Sequence, residues 1–520
     1  EYKITRIGDE QSTALTNDGS RNGDRKMYFQ AILDYNRIFK EVHDLNIMFL
    51  YNQEQYDING PTTLFSSLPQ RKQGVAGRVS YSYDGRYYIE GNFGYNGSEN
   101  FAKGHRFGFF PSIAVGYNIS NEKFWQPIKP AISNLKIRGS WGLVGNDATN
   151  AGRFAYMEDL VLGGSDSYTT GIRQDTYYSG PSWNRYFNPD LTWEVGEKIN
   201  LGLDLQLFND FNLTFDIFRE KRRDIFMTRE NSIPEIVGTG ETKITSNNGE
   251  MENKGLDLAI DYNKQITKDF FLSFKSTLTF ARNKVLKMDE PPYFEYPGLS
   301  DVGHPLGTYW GYVADGLFPD QETIDNSPRQ DLGYTPQPGD IKYVNQPNAK
   351  GEYDNVINSN DRVAIGHPYD PELVYGFGPS MKWKNWDFSF FFQGVARTSF
   401  MMYGMHPFGT TSIKNMLQFV ADDHWSVDNP NPNAAYPRLT KDSNGNNDQY
   451  STYWLRNAAF LKLKNAEIGY TYKGMRFYLS GVNLLTFSPF KHWDPEMGGG
   501  NGLYYPTQRV FNIGFQMTIQ

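Results

Sequence analysis

The chain has 520 residues, with 51 Lys plus Arg against 59 Asp plus Glu, a net charge of −8 and no Cys. That balance offers no basic surface for nucleic acid, and the lack of Cys removes disulfide and thiolate–metal scaffolds. No run of about 18 apolar residues is present, so no transmembrane helix is expected.

What remains is a β-rich composition, with 37 Phe, 35 Tyr and 50 Gly supplying strand and turn formers. No Pro/Gly/Ser linker divides the chain, so one large β-architecture over residues 1–520 is expected. Strict apolar/polar alternation marks the strands in order. Met27 to Tyr35 and Leu45 to Tyr51 form a first pair, and Val75 to Tyr83 and Tyr87 to Tyr95 flank the tight-turn signal Asp84-Gly85. Phe107 to Asn118 and Leu135 to Val144 follow. The clearest hairpin sets Ile199, Leu201, Leu203, Leu205 and Leu207 against Phe211, Leu213, Phe215 and Ile217 across Asn209-Asp210. Leu256 to Tyr262, Phe270 to Phe280, Val374 to Trp383, Trp386 to Val395, Phe460 to Tyr472, Arg476 to Thr486 and Val510 to Gln520 complete about fifteen strands.

The connections are sorted. Short ones (Asn209-Asp210, Asp84-Gly85, Lys384-Asn385, Lys473-Gly474) alternate with long ones at roughly 145–190, 223–250, 283–371, 398–457 and 488–507. Tight turns on one rim and large loops on the other describe an outer-membrane barrel with periplasmic turns. A two-faced soluble β-sandwich is the competing reading for any single hairpin, and the repetition disfavours it. The first and last strands both run toward the short-turn rim, so they cannot pair antiparallel with each other. An odd number of further strands is therefore expected to close the barrel.

Several stretches resemble one family, the SusC/RagA-like TonB-dependent outer-membrane transporters. They are Leu135-Lys-Ile-Arg-Gly-Ser-Trp-Gly142, Asn188-Pro-Asp-Leu-Thr-Trp-Glu194, Gly339-Asp-Ile-Lys-Tyr343 with Asn360-Asp-Arg362, Asn429-Pro430 with Tyr436-Pro-Arg438, Tyr453-Trp-Leu-Arg-Asn457 leading to Leu461-Lys-Leu-Lys-Asn465, and Arg476 to Leu485 with Asp494-Pro-Glu496. The resemblance implies the C-terminal portion, about 15 of 22 strands, of an all-β antiparallel transmembrane barrel with long extracellular loops. It also implies an N-terminal plug, the remaining strands and a TonB-contacting segment outside these residues, and a SusD-like surface lipoprotein as partner. One departure is the end of the last strand, Ile519-Gln520, where the family carries an aromatic.

Candidate sites come from the loops. Trp183, Tyr186, Trp310, Tyr403 and Trp425 offer aromatic faces for a sugar ring or a lid protein, against the plainer reading of loop packing. Asp340, Asp354, Asn358 and Asp361 form an Asx-rich run that a structural calcium would need, although Asp361-Arg362 reads more simply as a loop-fixing ion pair or a cap. Residues Ser412 to Asp422 carry apolar residues at helical spacing. The seven His are unclustered, no nucleophile-elbow pattern occurs, and Gly498 to Gly500 is a hinge, so no enzyme is expected. The function implied is import of oligosaccharides or peptides across the outer membrane. A scaffold in a larger secretion complex, a passive channel and a soluble carbohydrate-binding β-protein stay open at this point.

Overall fold

A computed structural model describes residues 23–518, apart from 61–63, 149–151, 164–166, 230, 235, 237–243, 405–416 and 441–442. Fifteen strands form one antiparallel meander: β1 Gly23–Phe39, β2 His43–Asn59, β3 Gln70–Tyr83, β4 Tyr87–Ser98, β5 Phe107–Asn118, β6 Ile132–Asn146, β7 Glu194–Leu207, β8 Phe211–Arg229, β9 Ile244–Thr267, β10 Phe270–Lys287, β11 Leu373–Trp383, β12 Trp386–Ala396, β13 Phe460–Tyr472, β14 Met475–Phe487 and β15 Val510–Met517. Each pairs only with its neighbours in this series, and among the described residues β1 and β15 remain the two edges. With fifteen strands the edges run in the same direction, as the alternation of turns requires.

Cross-strand register separates the two faces. Leu201 stands opposite Ile217, Ile217 opposite Leu256, Leu256 opposite Phe280, and Phe280 opposite Leu373, an unbroken apolar row. One residue along, Gly202, Asp216, Asp257 and Thr279 form a polar row on the other face. There Arg138 donates to Asp204 at 3.2 Å and Asp216 at 2.6 Å. The apolar face is uncovered: Leu201 is 57% exposed and Ile217 51%, and further round the sheet Leu479 is 54% exposed. A second sheet would have buried these side chains, so the partner of this face is lipid.

The short connections turn through left-handed residues, including Asp84 and Gly85, Phe208 and Asn209, and Lys473 and Gly474. Several strands outrun their apolar alternation. β9 has 24 residues and β8 has 19, so the connection expected over 223–250 shrinks to 230–243. Beyond Ile217 the outward positions become Arg219 and Lys221, and the ladder of backbone hydrogen bonds continues where lipid gives way to water.

The tightly packed core lies in the long loops. Six two-stranded ribbons occur there among the described residues, and Tyr312, Ile341, Tyr343, Phe400, Tyr436, Trp454 and Phe490 are buried together. A smaller cluster joins Phe101, Ala155, Leu191, Trp193 and Phe226. The predicted loop helix is seen over Gln418–Asp422, while 405–416 and 519–520 lie outside the described residues.

The two faces differ in what they tolerate. Leu203→Arg, outward and opposite Ile137 and Phe215, is expected to destabilise the membrane-inserted state by about 2–4 kcal/mol. Asn200→Arg, three residues away on the polar face, is expected to cost less than about 1 kcal/mol. Urea titration of the barrel refolded into vesicles measures both.

Candidate functional site: a pocket in the loop cap

Three long loops, 288–372, 397–459 and 488–509, build one cap on the extracellular rim. Tyr309–Gly311 pairs with Val363–Ile365, Ala314–Leu317 with Ile341–Tyr343, and Ser399–Met401 with Leu455–Asn457. Single bridges add Tyr312 to Ser451 and Met402 to Gly500. Gly311 lets the second loop approach, since a Cβ there would sit 2.4 Å from the carbonyl oxygen of Tyr450.

The polar centre of the cap is Asp340, fully buried. Its carboxylate accepts from Arg438 Nε at 2.7 Å, Asn444 Nδ2 at 3.0 Å, Asn447 Nδ2 at 2.9 Å and the Gln337 amide at 2.8 Å. Asn447 Oδ1 in turn accepts from the Ile341 amide at 2.9 Å, and Tyr343 donates to the carbonyl of Asn446 at 2.7 Å. Burial pushes the Tyr343 hydroxyl well above its ordinary value, so it stays a donor. A second staple is Lys462, wholly buried, with Nζ 2.6 Å from Asp494 and 2.5 Å from Glu496. The stretches Gly339-Asp and Tyr436-Pro-Arg438 thus meet, as do Leu461-Lys-Leu-Lys and Asp494-Pro-Glu496. Asn188-Pro-Asp-Leu-Thr-Trp-Glu194 likewise binds β8 and β9: Asn188 donates to the Thr245 carbonyl at 2.6 Å, and Glu194 accepts from the Phe226 amide at 3.1 Å.

Beside this centre opens a cavity of about 300 Å³, lined by Tyr403, Tyr436, Arg438, Asn444, Gln449, Tyr450 and Trp454 among others. Tyr403 and Tyr450 are half exposed, at 51% and 48%. Tyr403 hangs from a backbone bond to Gly500 at 3.1 Å, and its hydroxyl bonds Tyr504, which raises its pKa. Rigid aromatic faces beside amide groups suit a ligand with apolar ring or side-chain faces and many hydrogen-bonding edges.

The sequence-selected residues disperse. Tyr403 lines the cavity. Trp425 is buried against Gly339, whose Cβ would lie 2.3 Å from the indole, so it packs the cap. Trp310 donates to Asp301 at 2.6 Å and meets His304 edge-on. Trp183 and Tyr186 stack with ring centroids 5.8 Å apart in the separate 147–193 loop, with Trp183 39% exposed. Of the Asx-rich run, Asp340 is occupied by Arg438 and two Asn. Asp361 caps a turn with Asn358, accepting the Gln346 and Asn358 amides at 2.7 and 2.8 Å, and burial raises its pKa. Asp354 is exposed and accepts the Val356 amide. Among the described residues no group of three or more His, Cys, Asp or Glu is placed to hold a metal. Tyr450, Trp454 and Arg438 were not singled out as site residues from sequence; the aromatic-plus-Asn run from Asn444 to Trp454 is the signal that could have found them.

The sequence profile of the family described as "TonB dependent receptor-like, beta-barrel" matches residues 5–484. The chain belongs to this family. It is 29% identical over 468 residues to the TonB-dependent receptor SusC of Bacteroides thetaiotaomicron, covering 85% of this chain and 43% of that protein. It is 27% identical over 478 residues to TonB-dependent receptor P3 of Formosa agariphila, covering 85% and 45%. The chain spans about half the length of the curated relatives it matches. The structure of the RagAB peptide transporter superposes with a TM-score of 0.72 at 21% identity, covering 95% of this chain and 56% of that one, and so shares the fold. The lipid-facing row described above is therefore that of a bacterial outer-membrane barrel of the SusC/RagA type.

Two outcomes test the cap. Asp340→Ala strands a mostly buried guanidinium (Arg438, 16% exposed), and is expected to weaken the cap by about 3–5 kcal/mol. Proteolysis of the loops should accelerate while the barrel keeps its heat-modifiable gel mobility. His492 stacks on Phe419 at 4.1 Å and lies 3.3 Å from the Tyr436 hydroxyl. Burial, then the charge of Arg456, lowers its pKa below 6.5. The folded state thus binds fewer protons than the unfolded one. The stack's contribution is full above pH 6.5 and is lost as pH falls through that value toward the depressed one. Loop proteolysis should be faster at acidic pH, and His492→Phe should remove the difference.

Proposed function

We propose that this chain is the barrel and loop cap of an active importer that takes up oligosaccharides or peptides too large for open pores. The observation carrying this reading is the pocket of Tyr403, Tyr450 and Trp454 on a rigid cap at the extracellular rim. The two same-direction edges of the sheet support its completion by further strands, since unpaired edge groups in lipid cost several kcal/mol each. In this reading 22 strands enclose a plug, TonB energises transport through that plug, and a SusD-like lipoprotein closes over the cap. Half-exposed Tyr403, and Trp183 on its own loop, face ligand or lid. A structural cation among Asp354, Asn358 and Asp361 belongs to the reading only as a loop fastener, and no cofactor is needed for transport.

Uptake of fluorescent oligosaccharides and peptides by cells carrying the receptor tests it. Loss of TonB should abolish accumulation and leave surface binding intact. Tyr403→Ala with Tyr450→Ala should weaken surface binding by roughly tenfold, the scale of two lost aromatic contacts. Accumulation that persists without TonB identifies a passive channel instead.

A further inference from the structure

The lipid-facing wall carries a second feature that import through the lumen does not use. Directly above the row Ile217–Leu256–Phe280, the outward positions of β8, β9 and β10 are Arg219, Lys254 and Arg282, and the next row places Lys221, Glu252 and Lys284. Arg397 joins them, its guanidinium 5.9 Å from the centre of the Phe280 ring. A groove of about 580 Å³ runs between these rows, with Ile217, Leu256 and Phe280 at one end and Lys254, Arg282 and Lys284 at the other. At this level β8 and β9 lose their apolar alternation and β11 gives way to its loop, so the basic end lies at the outer-leaflet boundary.

The charges are layered. Glu252 accepts from Arg219 at 2.6 Å and from Lys254 at 2.7 Å, and Glu372 from Arg282 at 3.0 Å. The carboxylates are covered, with side chains 12% and 4% exposed, whereas Arg219, Lys254 and Arg282 are 51%, 60% and 57% exposed. The acids hold the cations in place from beneath, and the surface presented outward is positive. Guanidinium and ammonium groups above an apolar floor match a phosphate joined to acyl chains.

We propose that this groove binds a phosphorylated glycolipid of the outer leaflet, its phosphate on Lys254, Arg282 and Lys284 and an acyl chain along Ile217, Leu256 and Phe280. The site rests on the membrane placement of the barrel and is independent of what the lumen transports.

Native mass spectrometry of the intact receptor in mild detergent tests it, with a lipid A-type phosphorylated glycolipid, its dephosphorylated form and inorganic phosphate as separate arms. The phosphorylated lipid should be retained about tenfold more than the dephosphorylated one, and inorganic phosphate should not displace it. Lys254→Gln with Lys284→Gln leaves each covered carboxylate an Arg partner and should lower retention by about tenfold. Lys198→Gln, on the opposite face, should leave retention unchanged, as should the uptake assay in the double variant. Heat-modifiable mobility confirms that the double variant is folded; if it is not, Lys284→Gln alone replaces it, with a severalfold loss expected. Equal retention of the dephosphorylated lipid, displacement by inorganic phosphate, or retention unaffected by the Lys substitutions overturns the proposal.

Discussion

A bilayer core offers no hydrogen-bonding partner to a peptide group, and this constraint organises the whole chain. Every N–H and C=O between the rims must be met by a neighbouring strand, which permits only an antiparallel ladder with side chains alternating between lipid and lumen. The row from Leu201 to Leu373 and the polar row beside it follow from that alternation. So does the pairing of each interior strand on both sides, and so does the need to cover the outer edges of β1 and β15.

Where the constraint ends, the architecture changes. Above the lipid boundary the strands of β8 and β9 continue, but packing is taken over by loops that bury aromatic residues and satisfy polar groups in a buried network around Asp340. Freed from the two-residue period, this region resembles the interior of a soluble domain. It fixes Tyr403 and Tyr450 in position while leaving them accessible, a division that a flexible loop cannot make.

This boundary also explains what the sequence disclosed. The fifteen strands were legible because lipid on one side imposes a period of two that local inspection detects, as at Leu201-Gly202-Leu203. Their full lengths were not, because the ladder past Arg219 persists without apolar alternation. The cap was visible only as unexplained motifs: Asp340 and Arg438 are each unremarkable alone, and their pairing lies in the fold. Trp425 and Trp454 show the same limit, since an indole in a loop carries no mark of whether it will pack a core or line a cavity.

The side-chain partners of Asp340 lie 98 to 107 residues further along the chain. The intervening sequence includes β11 and β12 and parts of two loops, so the network cannot close until those strands have been threaded and their loops have crossed to the cell exterior. That side has no nucleotide-driven chaperone to correct mistakes. The extracellular globule must therefore find its own arrangement spontaneously, after insertion and as the final act of the receptor's biogenesis.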